Sequence, residues 1–230
     1  IIKPKYTRKS TSNSAFFSTF VPTLHNMIMV HELRIKNFLS FKEETVISFE
    51  ASKDDFRQDS MLVTMNDGTR LSRLAIIYGA NASGKSNLLE AFEYLFRFWK
   101  RKTGDDELPT GIEPFAFDTE TPTQPSEFEL KIYINEKKYV YLLVLTRQAI
   151  LSEKLLVYNS NQPSLLMHRE LNDGNTVLKF NSALIKVPAV IKDQLTGKCL
   201  NNTSFFAARK GVNCNLGEID DVRDWMINHT

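Results

Sequence analysis

Cysteine is nearly absent from the 230 residues: Cys199 and Cys214 are the only two. They stand in no metal-ligand spacing, which excludes a disulfide-stapled scaffold and a zinc ribbon and leaves two unpaired thiols suited to a reducing cytoplasm. Histidine is as sparse, with His25, His31, His168 and His229 scattered outside any HExxH context, so they are assigned no chemistry. No apolar run is long enough to be read as a membrane span. A dominant charge is lacking too. Lys and Arg number 29 against 27 Asp and Glu, and Lys3, Lys5, Arg8 and Lys9 are the only charged side chains before Glu32. Residues 32–230 therefore sum to −2, which excludes a basic nucleic-acid-binding body on charge alone. There is no internal repeat.

What is present is enough chain for one large domain or two small ones. Residues 1–26, "IIKPKYTRKSTSNSAFFSTFVPTLHN", contain no acid and no initiating Met. They read as a disordered leader, as sequence upstream of a start at Met27 or Met29, or as a segment of transit-peptide flavour. From Met29 the pattern changes. In "VHELRIKNF" Leu33 and Ile35 alternate with Glu32, Arg34 and Lys36, predicting a strand, and "ETVISFE" predicts a second. "MLVTMNDGTRLSRLAIIYG" supplies two more, with "NDG" as the turn. Leu74 to Tyr78 is apolar without alternation, the pattern of a parallel strand covered on both faces.

The helix that follows places Leu88, Phe92, Leu95 and Trp99 on one face, with Glu90, Glu93, Arg97 and Lys100 opposite. Residues 103–126 hold four of the eight prolines and read as a long connection. Residues 127–180 alternate as an antiparallel meander, with turns at Asn135-Glu136 and at "NDGN". The tail returns to helical patterning in "EIDDVRDWMINH".

The chemistry sits at a strand-to-helix junction. Gly79, Ala80, Asn81, Ala82, Ser83, Gly84, Lys85 and Ser86 fit G-x-x-x-x-G-K-[ST] at every position. Phosphate is a dense anion, and a helix start offers unpaired N–H groups at a positive dipole end. Glycine at 79 and 84 removes the Cβ atoms that would obstruct a tight wrap around it. Lys85 is placed to neutralise β- and γ-phosphates, and the Ser86 hydroxyl can ligate Mg²⁺. Asn87 completes the nucleotide-binding set, and Lys85 is the catalytic candidate within it.

"GANASGKSNLLEAF", together with the Ile35–Phe41 segment "I-x-NF-x-SF" and with "PFAFDTETPTQPSEFELKIYI", resembles the amino-terminal half of an ABC-type ATPase head. The branch resembled is that of RecF, SMC and the OLD-like proteins, within the bacterial AAA-type ATP-binding group. The resemblance spans roughly residues 29–225. It implies an α/β P-loop NTPase fold with parallel core strands plus the 127–180 arm, and ATP with Mg²⁺ held by residues 79–86. It further implies a segment near Asn37–Phe41 beside the nucleotide, and hydrolysis by heads that homodimerise and drive a nucleic-acid-directed effector. Ala82 stands where the broader family has glycine, and Leu39 where related repair ATPases place arginine.

Phosphoryl transfer also needs a metal-holding acid and a residue that orients water. In the resembled family these end an apolar strand in Asp-Glu, and no such strand follows Lys85. "NLGEIDD" reads as a helix start, and "LTGK" at 195–198 is a poor likeness of the signature loop. Residues 27–230 are therefore read as the amino-terminal part of an ATPase domain, in a gene fragment with an incomplete carboxy-terminal lobe. Two other readings stand beside the ATPase. One is a nucleotide-binding module without turnover; the other is a small-molecule P-loop kinase, which the antiparallel meander fits poorly.

Overall fold

The computed structural model describes residues 28–51, 61–101 and 108–228. The readings made on residues 1–26, on Met27 and on His229 lie outside them.

Seven strands form one antiparallel sheet in the order β2-β1-β5-β6-β7-β8-β9. They are β1 (Ile28–Lys36), β2 (Thr45–Ser48), β5 (Ser126–Ile134), β6 (Lys137–Leu145), β7 (Ile150–Tyr158), β8 (Pro163–Asn172) and β9 (Asn175–Phe180). A separate hairpin, β3 (Leu62–Thr64) with β4 (Arg70–Ser72), hangs from the β2 side through Ser72 N–H to Phe49 O at 2.8 Å. Turn chemistry explains the meander. Asn135 and Glu136 sit at φ 50° and 66°, and Asp173 and Gly174 at 49° and 79°. Paired left-handed residues give the two-residue turn whose twist matches the strands it joins.

Alternation then sorts the faces. Leu33 and Ile35 of β1 lie opposite Leu130 and Phe128 of β5, which lie opposite Tyr141 and Leu143 of β6. All six are buried. The intervening residues form an outer lattice of ion pairs: Glu32 with Arg34 and Lys131, each at 2.7 Å, and Lys36 with Glu127 at 3.2 Å.

The inner face carries the helices: α1 (Lys85–Lys100), α2 (Ala189–Lys198), α3 (Phe205–Ala208) and α4 (Glu218–Asn228). The ring of Tyr94 stacks on Phe128 at 5.5 Å, and Trp99 meets Tyr141 edge-on at 5.3 Å. Such pairs stabilise by about 0.5–1.5 kcal/mol each beyond the area they bury. Burial in α1 is rotated from the expected face, since Ala91, Tyr94 and Phe98 are buried with Leu95 and Trp99, whereas Leu88 and Phe92 are only partly covered. The ring at 94 wins because Phe128 offers it a stacking partner and Phe38 meets it tilted.

Two expectations are corrected. Every strand pair among the described residues is antiparallel, so no parallel core is found among them. Leu74–Tyr78 forms no strand, and Ile76 and Tyr78 are 77% and 90% exposed. A strand exists through its ladder, and no described strand pairs with this run, so its apolar composition alone leaves it irregular and exposed.

Both thiols are free, and burial pushes that of Cys199 up to about 12, which makes it inert near neutrality. No helix among the described residues is long and apolar enough to cross a membrane.

The least ordinary part of the core is charged. Glu153 and Arg169 face each other across β7 and β8 at 3.7 Å, and neither is more than 1% exposed. Glu153 also accepts from Tyr141 Oη at 2.9 Å and from the Phe205 N–H at 2.8 Å. Arg169 donates to the carbonyls of Leu200 at 2.6 Å and Thr203 at 2.5 Å. The pair therefore fastens the segment before α3 to the sheet. Burial pushes the Glu153 carboxyl up, against the pull of Arg169. Glu153→Ala leaves a buried guanidinium and an unpaired N–H, so the expected loss is about 3–5 kcal/mol in urea unfolding; a loss below about 1 kcal/mol would show the pair to be dispensable.

His31 gives a pH dependence. Burial is the largest influence on its imidazole and lowers it from 6.5, and Nδ1 is buried without a partner. The unfolded chain takes up a proton near the ordinary value while the folded one resists. Stability is thus full above about pH 6.5 and falls as pH drops through it. The urea midpoint should decline between about pH 7.5 and pH 5.5, above the range where ordinary exposed carboxylates titrate, and His31→Phe should flatten that decline. His168, also lowered by burial, supplies the residual slope.

Candidate phosphate-binding site

Helix α1 begins abruptly. Its N-cap is Gly84 at φ 87°, with no side-chain cap. The opening N–H groups of Lys85, Ser86 and Asn87 therefore face the loop rather than a capping oxygen. Residues 79–84 curl back over that helix start, with a turn in which Ser83 N–H reaches Ala80 O at 3.4 Å. The Lys85 ammonium lies within this curl. It donates to Gly79 O at 3.0 Å and Ala80 O at 2.6 Å, and it lies 3.4 Å from Ser83 Oγ. Those partners are carbonyls and a hydroxyl, and no carboxylate among the described residues pairs with the ammonium.

Backbone geometry accounts for the two glycines and the one departure. A Cβ at Gly84 would stand 3.3 Å from Ser40 Oγ and 3.8 Å from the Phe41 ring; one at Gly79 would stand 3.0 Å from Ser83 Oγ. Ala82 takes φ 62°, a left-handed conformation that glycine adopts without strain and alanine adopts at about 1–2 kcal/mol. Asn81 and Ala82 form the exposed crest, and Ser86 is exposed on the first helical turn. The Asn87 side chain is committed elsewhere, donating to Ser40 Oγ at 2.7 Å. Its Nδ2 is therefore turned to the Ser40 hydroxyl.

The chain thus brings together main-chain amides at a helix start, one ammonium and one hydroxyl, the donor set that binds phosphate oxygens. For a metal, no group of three or more His, Cys, Asp or Glu that could hold an ion exists among the described residues. Ser86 alone suits Mg²⁺, which takes one or two protein oxygens and fills its shell with phosphates and water.

The segment Asn37–Phe41 has two jobs, one of which its residue types did not reveal. Ser40 and Phe41 abut the loop through Gly84 and Asn87. Asn37, by contrast, is 2% exposed and faces away. Its Nδ2 donates to Thr121 O at 2.9 Å and Gln124 O at 2.8 Å, and its Oδ1 accepts from Phe115 N–H at 2.9 Å. Leu39 N–H adds a bond to Glu113 O at 2.8 Å. The proline-rich connection is thereby pinned to the loop's support. The signal available in the sequence was a lone asparagine amid apolar residues, at φ 52° in the fold. Asp118 is likewise a connection residue. Lys42 at 2.8 Å and Thr121 hold its carboxyl well below the usual range.

A second constellation invites comparison with a hydrolytic triad. Ser152 Oγ lies 3.1 Å from His168 Nε2, and His168 Nδ1 lies 3.7 Å from Glu170. Glu170 is however paired with Lys179 at 2.5 Å, and the main chain of Ser152 is laddered on both sides, to Val144 and Glu170. With no free N–H groups converging there to stabilise an oxyanion, the row is a surface hydrogen-bond chain.

Residues 74–185 match the family described as AAA domain, putative AbiEii toxin, Type IV TA system. The matched stretch is just under half of the chain and runs from the exposed apolar segment through the loop, α1 and the meander. It supports an AAA-type P-loop ATPase. No curated protein matches the chain.

Gly84→Ala combines a left-handed φ with a close approach to Ser40, so it should lower stability by about 1–2 kcal/mol and weaken phosphate binding together with it. Thermal unfolding with and without nucleotide measures both effects. An unshifted melting temperature would mean that the loop does not hold this conformation.

Proposed function

We propose that the chain binds ATP with Mg²⁺ through Gly79–Ser86 and forms the amino-terminal part, residues 27–230, of an ATPase domain. The observation that carries this reading is the Lys85 ammonium held inside a curled loop at an uncapped helix start. An incoming phosphate would replace the two carbonyls as its partner. Main-chain N–H groups of residues 80–86 would hold the β-phosphate oxygens, Lys85 would offset β- and γ-charge, and Ser86 would contribute its hydroxyl to Mg²⁺. When bound, the metal supplies charge neutralisation across the phosphates. The AAA-family match over this stretch gives the reading independent support.

In the intact protein the reading extends to hydrolysis by homodimerising heads of the RecF, SMC and OLD-like kind, coupled in the cytoplasm to a nucleic-acid-directed effector. The water-orienting acid and the signature loop would come from sequence outside these residues. The exposed run Leu74–Tyr78 favours this, because it has the composition of a buried strand and no described ladder partner. Binding without turnover is the second reading, favoured because the described residues place only carbonyls and a hydroxyl against Lys85 and no carboxylate.

Calorimetric titration with Mg-ATP tests the first claim. Lys85→Ala should weaken binding by about 1.5–3 kcal/mol, the scale of a charge-assisted contact; unchanged affinity would remove the reading. Steady phosphate release that Lys85→Ala abolishes would support turnover, and binding with no release would support the second reading.

A further inference from the structure

Phe41, Tyr78 and Phe117 stand on the segments around the phosphate loop, and they differ in what holds them. Tyr78 is 90% exposed, on the run that no described strand ladders. Phe41 is half-buried and packs on the core, and its ring would stand 3.8 Å from a Cβ at Gly84. That ring is used up in supporting the helix start. Phe117 is 85% exposed yet sits on a fastened stretch of chain.

Lone exposed rings are ordinary on protein surfaces, so exposure by itself assigns Phe117 nothing. The backbone beneath it is what sets it apart. Residues 113–118 lie along the turn at 37–42: Leu39 N–H donates to Glu113 O at 2.8 Å, Phe115 N–H donates to Asn37 Oδ1 at 2.9 Å, and Lys42 pairs with Asp118 at 2.8 Å. Asp118 accepts in addition from Glu120 N–H at 3.1 Å, Thr121 N–H at 2.7 Å and the Thr121 hydroxyl at 2.6 Å. The Phe115 ring meets that of Phe117 edge-on at 5.5 Å. Phe117 is therefore fixed before and after in the chain while its ring stays in water. The tip of the same turn carries Ser40 to Gly84 and Asn87, so the ring and the phosphate loop share one support.

A nucleoside triphosphate held by its phosphates presents its base beside the loop, with an aromatic face to cover. A ring that is already ordered takes that face at little entropic cost, and stacking of a base on an aromatic side chain is a strong contact in water. We infer that Phe117 stacks on the base of the nucleotide whose phosphates the loop holds, an inference that rests on the nucleotide binding proposed for Gly79–Ser86. Asp118, the charged group next to the ring, is committed to Lys42 and Thr121. The contact at Phe117 thus reads the flat face of the base rather than its hydrogen-bonding edge, and tolerates either purine.

Calorimetric titration of the whole chain with Mg-ATP and with Mg-tripolyphosphate, which carries the phosphates without a base, separates this inference from the reading beneath it. Phe117→Ala should weaken Mg-ATP binding about tenfold, Mg-GTP by the same factor, and leave tripolyphosphate unchanged. Phe117→Trp should keep nucleotide affinity, and the indole it introduces should be quenched by Mg-ATP and not by tripolyphosphate. Tyr78→Ala should bind both ligands as wild type does, and Lys85→Ala should weaken both. The inference is overturned, with the loop reading intact, if Phe117→Ala binds Mg-ATP as wild type does, if it loses tripolyphosphate by the same factor, or if Tyr78→Ala removes the preference for ATP instead. If wild type binds neither ligand, the loop reading fails and this inference falls with it.

Discussion

Aromatic packing between α1 and the sheet positions everything at the candidate site. Tyr94 on Phe128 and Trp99 on Tyr141 fix the depth and rotation of the helix. Its first turn then projects beyond the sheet at the loop's level, where Ser40 and Phe41 meet it from β1. The loop itself makes few bonds and is largely exposed, so its geometry comes from the rigid elements at its end. An exposed loop set on a rigid helix start is a common division of labour, because binding loops are placed by the scaffold beneath them.

Much of this arrangement was legible in the sequence. Strand positions on both sides of the loop, the turns at Asn135-Glu136 and Asp173-Gly174, the long helix and the loop residues follow from periodicity and turn chemistry. What stayed hidden depends on partners. Whether Leu74–Tyr78 becomes a strand is decided by a neighbouring ladder, which local composition does not encode. The buried face of α1 turned toward Tyr94 because ring stacking outweighed the simpler leucine stripe. Asn37 was visible as part of a motif, but its role as a pin appears only when Thr121 and Gln124, more than 80 residues away, are folded beside it. The buried Glu153–Arg169 pair was invisible for the same reason, since alternating strand positions usually place charge outward.

Charge is handled differently on the two sides of the sheet. The outer face spreads it over exposed or partly covered pairs, each worth little. The inner face concentrates it in one acid and one base, Glu153 bonded to Tyr141 and to main chain and Arg169 bonded to two carbonyls with its Nε left without a partner. Lys85 and Lys138 stand outside both schemes, one ringed by carbonyls and the other by phenol rings. Each is a cation stabilised by dipoles or quadrupoles, and no carboxylate among the described residues forms an ion pair with either.

The open run beside the loop also bears on how the molecule must be handled. Leu74-Ala75-Ile76-Ile77-Tyr78 is apolar and uncharged, is free of proline, and is exposed at all five positions. Segments of that kind stack edge to edge with their own copies when nothing shields them. An uncovered apolar run thus borders the loop at 79–86, and whatever covers it, another copy or another segment, would sit beside that loop.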